Sequence, residues 1–222
     1  MYELNREGKL MSVMEKESVE RKYKGLVDSH TLEMIDFPRI QWLDYLGDIL
    51  SRKKHMLLDC GCGAGVDIRY LIGKGFDRKK IIGIEINPYC IQAGFYYYDD
   101  KKELKNNFII GDVIFIPFHD NSFETILNNA LIHKLLKRGQ IEEFLGEAYR
   151  VLNRDGIIFG RTLGSEEEIK DGKDPLALTR DELKHYLNKS RFTDIRISTC
   201  KISEEKVPYA WVKYGFSFSC KK

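Results

Sequence analysis

The chain predicts an α/β fold built on a doubly wound, mostly parallel sheet, and three observations carry that expectation. Strand-like apolar runs alternate with amphipathic helical stretches from residue 56 onward. The first run, Met56-Leu57-Leu58-Asp59, breaks into a turn with glycines at 61, 63 and 65 and then into a helical pattern near Val66. A second run, Ile81 to Ile86, follows at the distance of a helix plus a strand, the βαβ unit, and closes on an acid, Glu85. With 222 residues, 43% of them hydrophobic, the chain is long enough for one sizeable core, so one compact unit is expected.

Composition narrows the class of partner. Charged residues make up 32% of the chain but are mixed in sign, with a formal net charge of only +2, so nucleic acid is an unlikely partner. No apolar run approaches the ~20 residues that span a bilayer, and the opening MYELNREGKL lacks an apolar signal-type segment, which places the chain in the cytoplasm. The five cysteines are odd in number and only Cys60 and Cys62 lie close together, a pattern of neither a disulfide framework nor a zinc knuckle.

Taken in order, residues 1 to about 30 show a weak helical pattern through Leu10, Val13, Met14, Val19, Tyr23, Leu26 and Val27. Thr31 is a candidate cap for a second helix that Pro38 interrupts. Arg39 to Leu50 is a clearer helix, with Ile40, Leu43, Leu46 and Leu50 on one face. The glycine turn demands glycine because sharp backbone needs φ > 0 and a ligand pressed against it leaves no room for Cβ. Two cofactor classes use such a turn, and spacing separates them. The dinucleotide fingerprint G-x-G-x-x-G fails, since its third place falls on Val66 or on Ile68. What stands here is Asp59-x-Gly61-x-Gly63-x-Gly65.

That spacing resembles motif I of the class I S-adenosylmethionine-dependent methyltransferases. The resemblance runs from about Met56 to the C-terminus. It implies a seven-stranded, mostly parallel Rossmann-like sheet with an antiparallel last strand, with residues 1–52 as an N-terminal helical cap on a 53–222 cofactor-binding unit. It also implies S-adenosylmethionine as cofactor, S-adenosylhomocysteine as product, and a set of contacts. Asp59, Gly61, Cys62, Gly63 and Gly65 line the turn; Glu85 accepts from the ribose hydroxyls, with Ile86 beside it. Asp112 accepts from the adenine amino group while Val113 packs on the ring. Asn128 stands where strand-end backbone meets the methionine amino group. Tyr23, in the helical cap, is a candidate for the cofactor carboxylate or the acceptor.

The remaining elements follow the same pattern. Ile68 to Ile72 continues the first helix, ending at Gly73 to Gly75, and Pro88 to Tyr98 is the next. Phe108 to Ile110 is a third strand, leading into Gly111-Asp112-Val113. Ile116-Pro117-Phe118, a turn, Phe123-Glu124 and Thr125 to Asn129 resemble the fourth strand of the family's small-molecule branch. No Asn/Asp-Pro-Pro-aromatic sequence is present, which argues against methylation of nucleobase exocyclic amines. Ile141 to Leu152 is an amphipathic helix, Asn153 to Gly156 a turn, and Ile157 to Gly160 a fifth strand. Gly164 to Thr179 is polar and long enough to serve as a lid or substrate loop. Thr179 with Glu182 forms a capping box for Asp181 to Leu187. Ile195 and Ile197 mark a sixth strand and Trp211 to Cys220 a seventh.

Methyl transfer from a sulfonium needs positioning and exclusion of water more than a covalent device. The sequence agrees: it offers no H-E-x-x-H, no G-x-S-x-G and no clustered metal ligands. His133, and beside it Asn129, are the candidates near the methyl group, His133 as a base where an acceptor proton must leave. Asp28, His30 and Tyr209 are weaker candidates. The acceptor expected is a small molecule or lipid-like compound, methylated on O, N or S. An RNA or protein acceptor, drawn by Lys134, Lys137 and Arg138, and a protein that only holds the cofactor remain as alternatives. The oligomeric state is not legible.

Overall fold

A computed structural model of the chain describes residues 16–28, 31–32, 35, 40, 45–135, 137–165, 177–201 and 214–222. The sheet has seven strands in the order β3-β2-β1-β4-β5-β7-β6. They are β1 (Leu57–Cys60), β2 (Ile81–Glu85), β3 (Phe108–Ile110), β4 (Phe123–Asn129), β5 (Leu152–Gly164), β6 (Thr193–Lys201) and β7 (Tyr214–Lys221). Neighbours from β3 through β5 pair in parallel, and only β7, wedged between β5 and β6, runs antiparallel to both. The antiparallel last strand is thus as expected.

β1 is the axis of the molecule. All four of its side chains are buried, as a parallel strand covered on both faces requires. Alternation sends them to different layers. Leu58 and Cys60 join one cluster with Ile126, Phe144, Ile158 and Phe218. Leu57 joins the other with Ile68, Leu71, Leu127 and Phe159. Among the described residues the helices are α1 (Lys16–Tyr23), α2 (Leu46–Ser51), α3 (Val66–Gly73), α4 (Pro88–Tyr98), α5 (Lys101–Leu104), α6 (Arg138–Val151) and α7 (Arg180–Lys189). α4 starts with Pro88 in its first turn and an Asn87 side chain that accepts the Tyr89 N–H (3.0 Å), the two local signals that set a helix start. α7 carries the expected capping box, Thr179 Oγ1 accepting the Glu182 N–H and Glu182 Oε2 accepting the Thr179 N–H.

Three boundaries differ. The expected turn at Asn153 to Gly156 lies inside β5: Phe123 pairs with Leu152 and Thr125 with Ile157, so the four residues bulge out, with Asp155 at φ +63°. α6 begins at Arg138 rather than Ile141, because the Gln140 side chain accepts the Lys137 N–H (3.2 Å) and supplies the cap. Of the Arg39 to Leu50 helix, α2 is described over Leu46–Ser51 and starts from a turn at Tyr45, Ile40 lies in a 3-10 turn, and residues 39 and 41–44 lie outside the described residues. The 166–176 part of the expected lid, Trp211, and the weaker candidates His30 and Tyr209 lie outside the described residues.

The strand order places the site. The chain adds β2 and β3 on one side of β1 and then crosses to β4 on the other. The crevice at the carboxyl ends of β1 and β4 is the switch point where such sheets bind ligands.

Candidate active site

The turn leaving β1 holds Gly61, Gly63 and Gly65 at φ +70°, +56° and +70°, a region where a side chain is strained. The Gly61 and Cys62 N–H groups both donate to the Ile84 carbonyl (2.9 and 3.1 Å), and Gly65 N–H donates to the Cys62 carbonyl (2.8 Å). Beyond backbone shape, the three glycines have separate tasks. A Cβ on Gly61 would meet Leu131 at 2.9 Å, and one on Gly65 would collide with the Phe108 ring. In front of Gly63 the nearest atom would be the Thr31 methyl at 3.9 Å, so this is the glycine that a ligand can approach. The Cys62 side chain is buried against Gly83, under the turn. Burial pushes the thiols of Cys60 and Cys62 well above the usual range and that of Cys90 up to about 12, which leaves them protonated and without nucleophilic character.

Glu85, at the tip of β2, is half-buried and held: Oε2 accepts the Gly63 N–H (3.0 Å) and Oε1 the Asn87 N–H (2.9 Å). A carboxylate has about four acceptor sites, so each oxygen keeps capacity for a hydroxyl donor while its direction is fixed. Asp112, beyond β3, accepts the Ile114 N–H through Oδ1 (3.1 Å). Around these acids the strand ends present bare apolar surface: Ile86 is 63% exposed, Ile110 66% and Phe115 75%. Val113, expected on an adenine ring, is instead buried in the core cluster with Ile84 and Ile116. Phe115 and Ile110 are the apolar groups on offer there. Two acceptors, an open glycine and uncovered apolar side chains fit an adenosine.

At the end of β4 the amide of Asn128 is fully buried and neither its oxygen nor its nitrogen has a partner, a state that a bound polar group relieves. Asn129 points to the opposite face of the sheet, where its amide nitrogen donates to Asp67 Oδ2 (2.7 Å); Asp67 Oδ1 accepts the Ile40 N–H (3.1 Å). His133 is buried in a short 3-10 turn, and its Nδ1 accepts the Leu163 N–H of β5 (3.3 Å). In the neutral ring Nε2 then carries the proton, the arrangement of a hydrogen-bond donor rather than of a base. Tyr23 is buried among Val19, Ala64 and Cys90 with its ring edge-on to Tyr96 (6.1 Å), and burial raises its hydroxyl pKa. Arg69, Asp67 and Phe115 carry a weaker sequence signal: two charged residues within a short apolar helix, and the first of two aromatics in the run Ile114 to Phe118.

Residues 58–160 match the family described as a methyltransferase domain. That match spans just under half of the chain. The sterol 24-C-methyltransferase of Pneumocystis carinii is 35% identical over 108 residues, 48% of this chain and 27% of that protein. A malonyl-[acyl-carrier protein] O-methyltransferase of Yersinia pestis is 29% identical over 118 residues, 51% of this chain and 39% of its own length. The chain thus spans about a quarter to two fifths of these curated relatives. Among solved structures, the Burkholderia thailandensis 1,6-didemethyltoxoflavin-N1-methyltransferase, which holds its substrate and S-adenosylhomocysteine, superposes with a TM-score of 0.65 at 18% identity, covering 93% of this chain and 86% of that one. At that identity the likeness is one of fold. The matched residues include β1 from Leu58 onward, the glycine turn, Glu85, Asp112 and all of β4.

Proposed function

We propose that this chain binds S-adenosylmethionine and transfers its methyl group to a small-molecule or lipid-like acceptor, leaving S-adenosylhomocysteine. The observation that carries the reading is the Glu85 carboxylate, fixed by Gly63 and Asn87 N–H groups directly beside the open face of Gly63. When bound, the sulfonium supplies an already activated methyl group, so the protein's work is to bind, orient and exclude water. Glu85 accepts from the ribose hydroxyls, Asp112 from the base, and Ile86, Ile110 and Phe115 cover the ring. Asn128 gives its unpartnered amide to the polar end of the ligand.

In this reading His133 orients an O, N or S acceptor as a donor, the acceptor's proton passes to solvent as the methyl group arrives, and Asn129 holds α3 through Asp67. Residues 1–52 serve as a cap on the 53–222 unit, supported by the packing of Val19, Tyr23 and Val27 on Ala64 and α4 and by the Asn87 amide donating to the Leu26 carbonyl (2.9 Å). The sterol and acyl-carrier relatives support a lipid-like acceptor. Of the basic residues that suggested a macromolecular acceptor, Arg138 is engaged with Glu182 (2.8 Å). Four buried free cysteines suit a reducing compartment and support a cytoplasmic setting; among the described residues no helix is long and apolar enough to cross a membrane.

Calorimetry with S-adenosylmethionine and S-adenosylhomocysteine tests the reading. Wild type is expected to bind, and Glu85→Ala to bind about tenfold or more weakly, the ~1.4 kcal/mol of a lost charged acceptor. A wild-type chain that binds neither compound refutes it.

A further inference from the structure

We propose that Arg69 is the positioning residue of the glycine turn, a role that rests on the cofactor reading above. Arg69 lies one turn into α3, and its side chain runs back toward the helix start, as helical side chains do. Nη1 donates to the carbonyls of Ala64 (2.5 Å) and Gly65 (3.1 Å). On its other edge, Nε and Nη2 donate to the two oxygens of Asp100 at 2.6 and 2.8 Å. The guanidinium carbon sits 4.5 Å from the centre of the Tyr98 ring, with Phe108 at 5.4 Å and Phe95 at 5.7 Å. Only 10% of the Arg69 side chain and 18% of Asp100 is exposed.

The consequence follows from peptide planarity. In a trans peptide the N–H points opposite to the C=O. With the Ala64 and Gly65 carbonyls held by Arg69, the N–H groups of Gly65 and Val66 must point away from it. The first closes the turn on the Cys62 carbonyl and the second opens α3. Gly65 is the residue most free to rotate these planes, since glycine visits both signs of φ with equal ease. Arg69 removes that freedom before a ligand arrives, which lowers the ordering cost of binding. Asp100 anchors the guanidinium from beyond the end of α4, so turn, α3 and α4 are held by one planar fork. A lysine presents a single point of charge and cannot hold both edges at once.

Arg69→Lys is the decisive variant, with Asp100→Asn as a second that loosens the same fork and Leu183→Ala in α7 as a destabilised control, because α7 packs on α6 and β6 rather than on the turn. For Arg69→Lys we expect S-adenosylhomocysteine affinity to fall about tenfold and the KM for S-adenosylmethionine to rise alongside, with kcat within about twofold. In the cofactor-free protein, amide hydrogen exchange at Gly65 and Val66 speeds up. Leu183→Ala lowers the melting temperature but leaves affinity and those two amides unchanged. Should Arg69→Lys fail to fold, Asp100→Asn is expected to show the same changes in smaller measure. Wild-type affinity together with wild-type exchange in a folded Arg69→Lys or Asp100→Asn overturns the proposal, as does an equal loss of affinity in the control. A wild type that binds no cofactor overturns the functional reading instead, and the exchange data then still decide whether Arg69 fixes the turn.

Discussion

Gly94 and Gly146 make a matched pair, because both sit inside helices and differ only in what a methyl group would meet. Replacing an interior helical glycine by alanine gains about 0.8–1 kcal/mol from propensity alone. Gly146 is exposed on α6 with nothing within 4 Å of an added Cβ, so Gly146→Ala keeps that gain. On α4, a Cβ at Gly94 would overlap the Ala64 carbonyl oxygen and lie 3.0 Å from its carbon and 3.2 Å from Arg69 Nη1. The obstacle is a backbone carbonyl that Arg69 also holds, so α4 or the turn must move. Overpacking of this kind costs about 1–3 kcal/mol, which exceeds the propensity gain. Gly94→Ala is therefore expected to destabilise by roughly 1 kcal/mol, a fall of about 2–4 °C in melting temperature for a chain of this size, while Gly146→Ala raises it by a similar step. Urea unfolding at unchanged slope measures both. Cofactor affinity falls in Gly94→Ala and not in Gly146→Ala, since only the first presses on the turn. Equal stabilisation of the two variants would refute the close approach of α4 to the turn.

Phe115→Ala removes an exposed ring, so stability is expected to stay within about 0.5 kcal/mol while calorimetry shows weaker S-adenosylhomocysteine binding; unchanged affinity removes Phe115 from the site. Glu147 is held below the usual carboxylate range first by hydrogen bonds from Arg150, then by the Ile116 N–H. Because its pKa is lower in the folded state, its contribution is present above its ordinary value near 4.5 and is lost as pH falls through the folded value. Glu147→Gln should thus lower the urea midpoint at pH 7, and the gap to wild type should narrow below about pH 4.5. A gap that stays constant to pH 3 would show that the charge of Glu147 is not what stabilises this contact.

What could be read from sequence was what chain order encodes. Asp59, the three glycines, Glu85 and Asp112 stand at or just beyond the carboxyl ends of β1, β2 and β3, so the topology puts them along one edge of the sheet. Asn129 and His133 illustrate the opposite case. Both are polar and stand at or just beyond the end of β4, and what fixes their side chains is long-range: Asp67, 62 residues earlier, and Leu163, 30 residues later. The 31-residue reach from Arg69 to Asp100 was invisible for the same reason. Val113 turns inward and Phe115 outward, which the sequence does not reveal because a loop, unlike a strand, has no fixed alternation to say which side chain is buried. The bulge at Asn153 to Gly156 was read as a turn because its residues are turn formers, while the pairing of Leu152 with Phe123 that extends β5 is long-range.

The distribution of exposed apolar side chains argues for a ligand independently of any motif. Among the described residues, the large hydrophobic side chains most open to solvent are Leu26, Ile86, Tyr89, Ile110 and Phe115. Ile86 and Ile110 stand at the carboxyl ends of β2 and β3, Tyr89 opens α4, and Phe115 follows Asp112. Leu26 is drawn to the same place by the Asn87 amide on its carbonyl. Single exposed hydrophobics are ordinary, but their gathering at one end of two adjacent strands marks a surface that something covers. The polar groups set into it, Glu85 and Asp112, are acceptors, so what covers it must present donors beside a flat apolar body. An adenosine does both, and this pairing of bare apolar surface with fixed acceptors is what a glycine turn serving only to reverse the chain would not require.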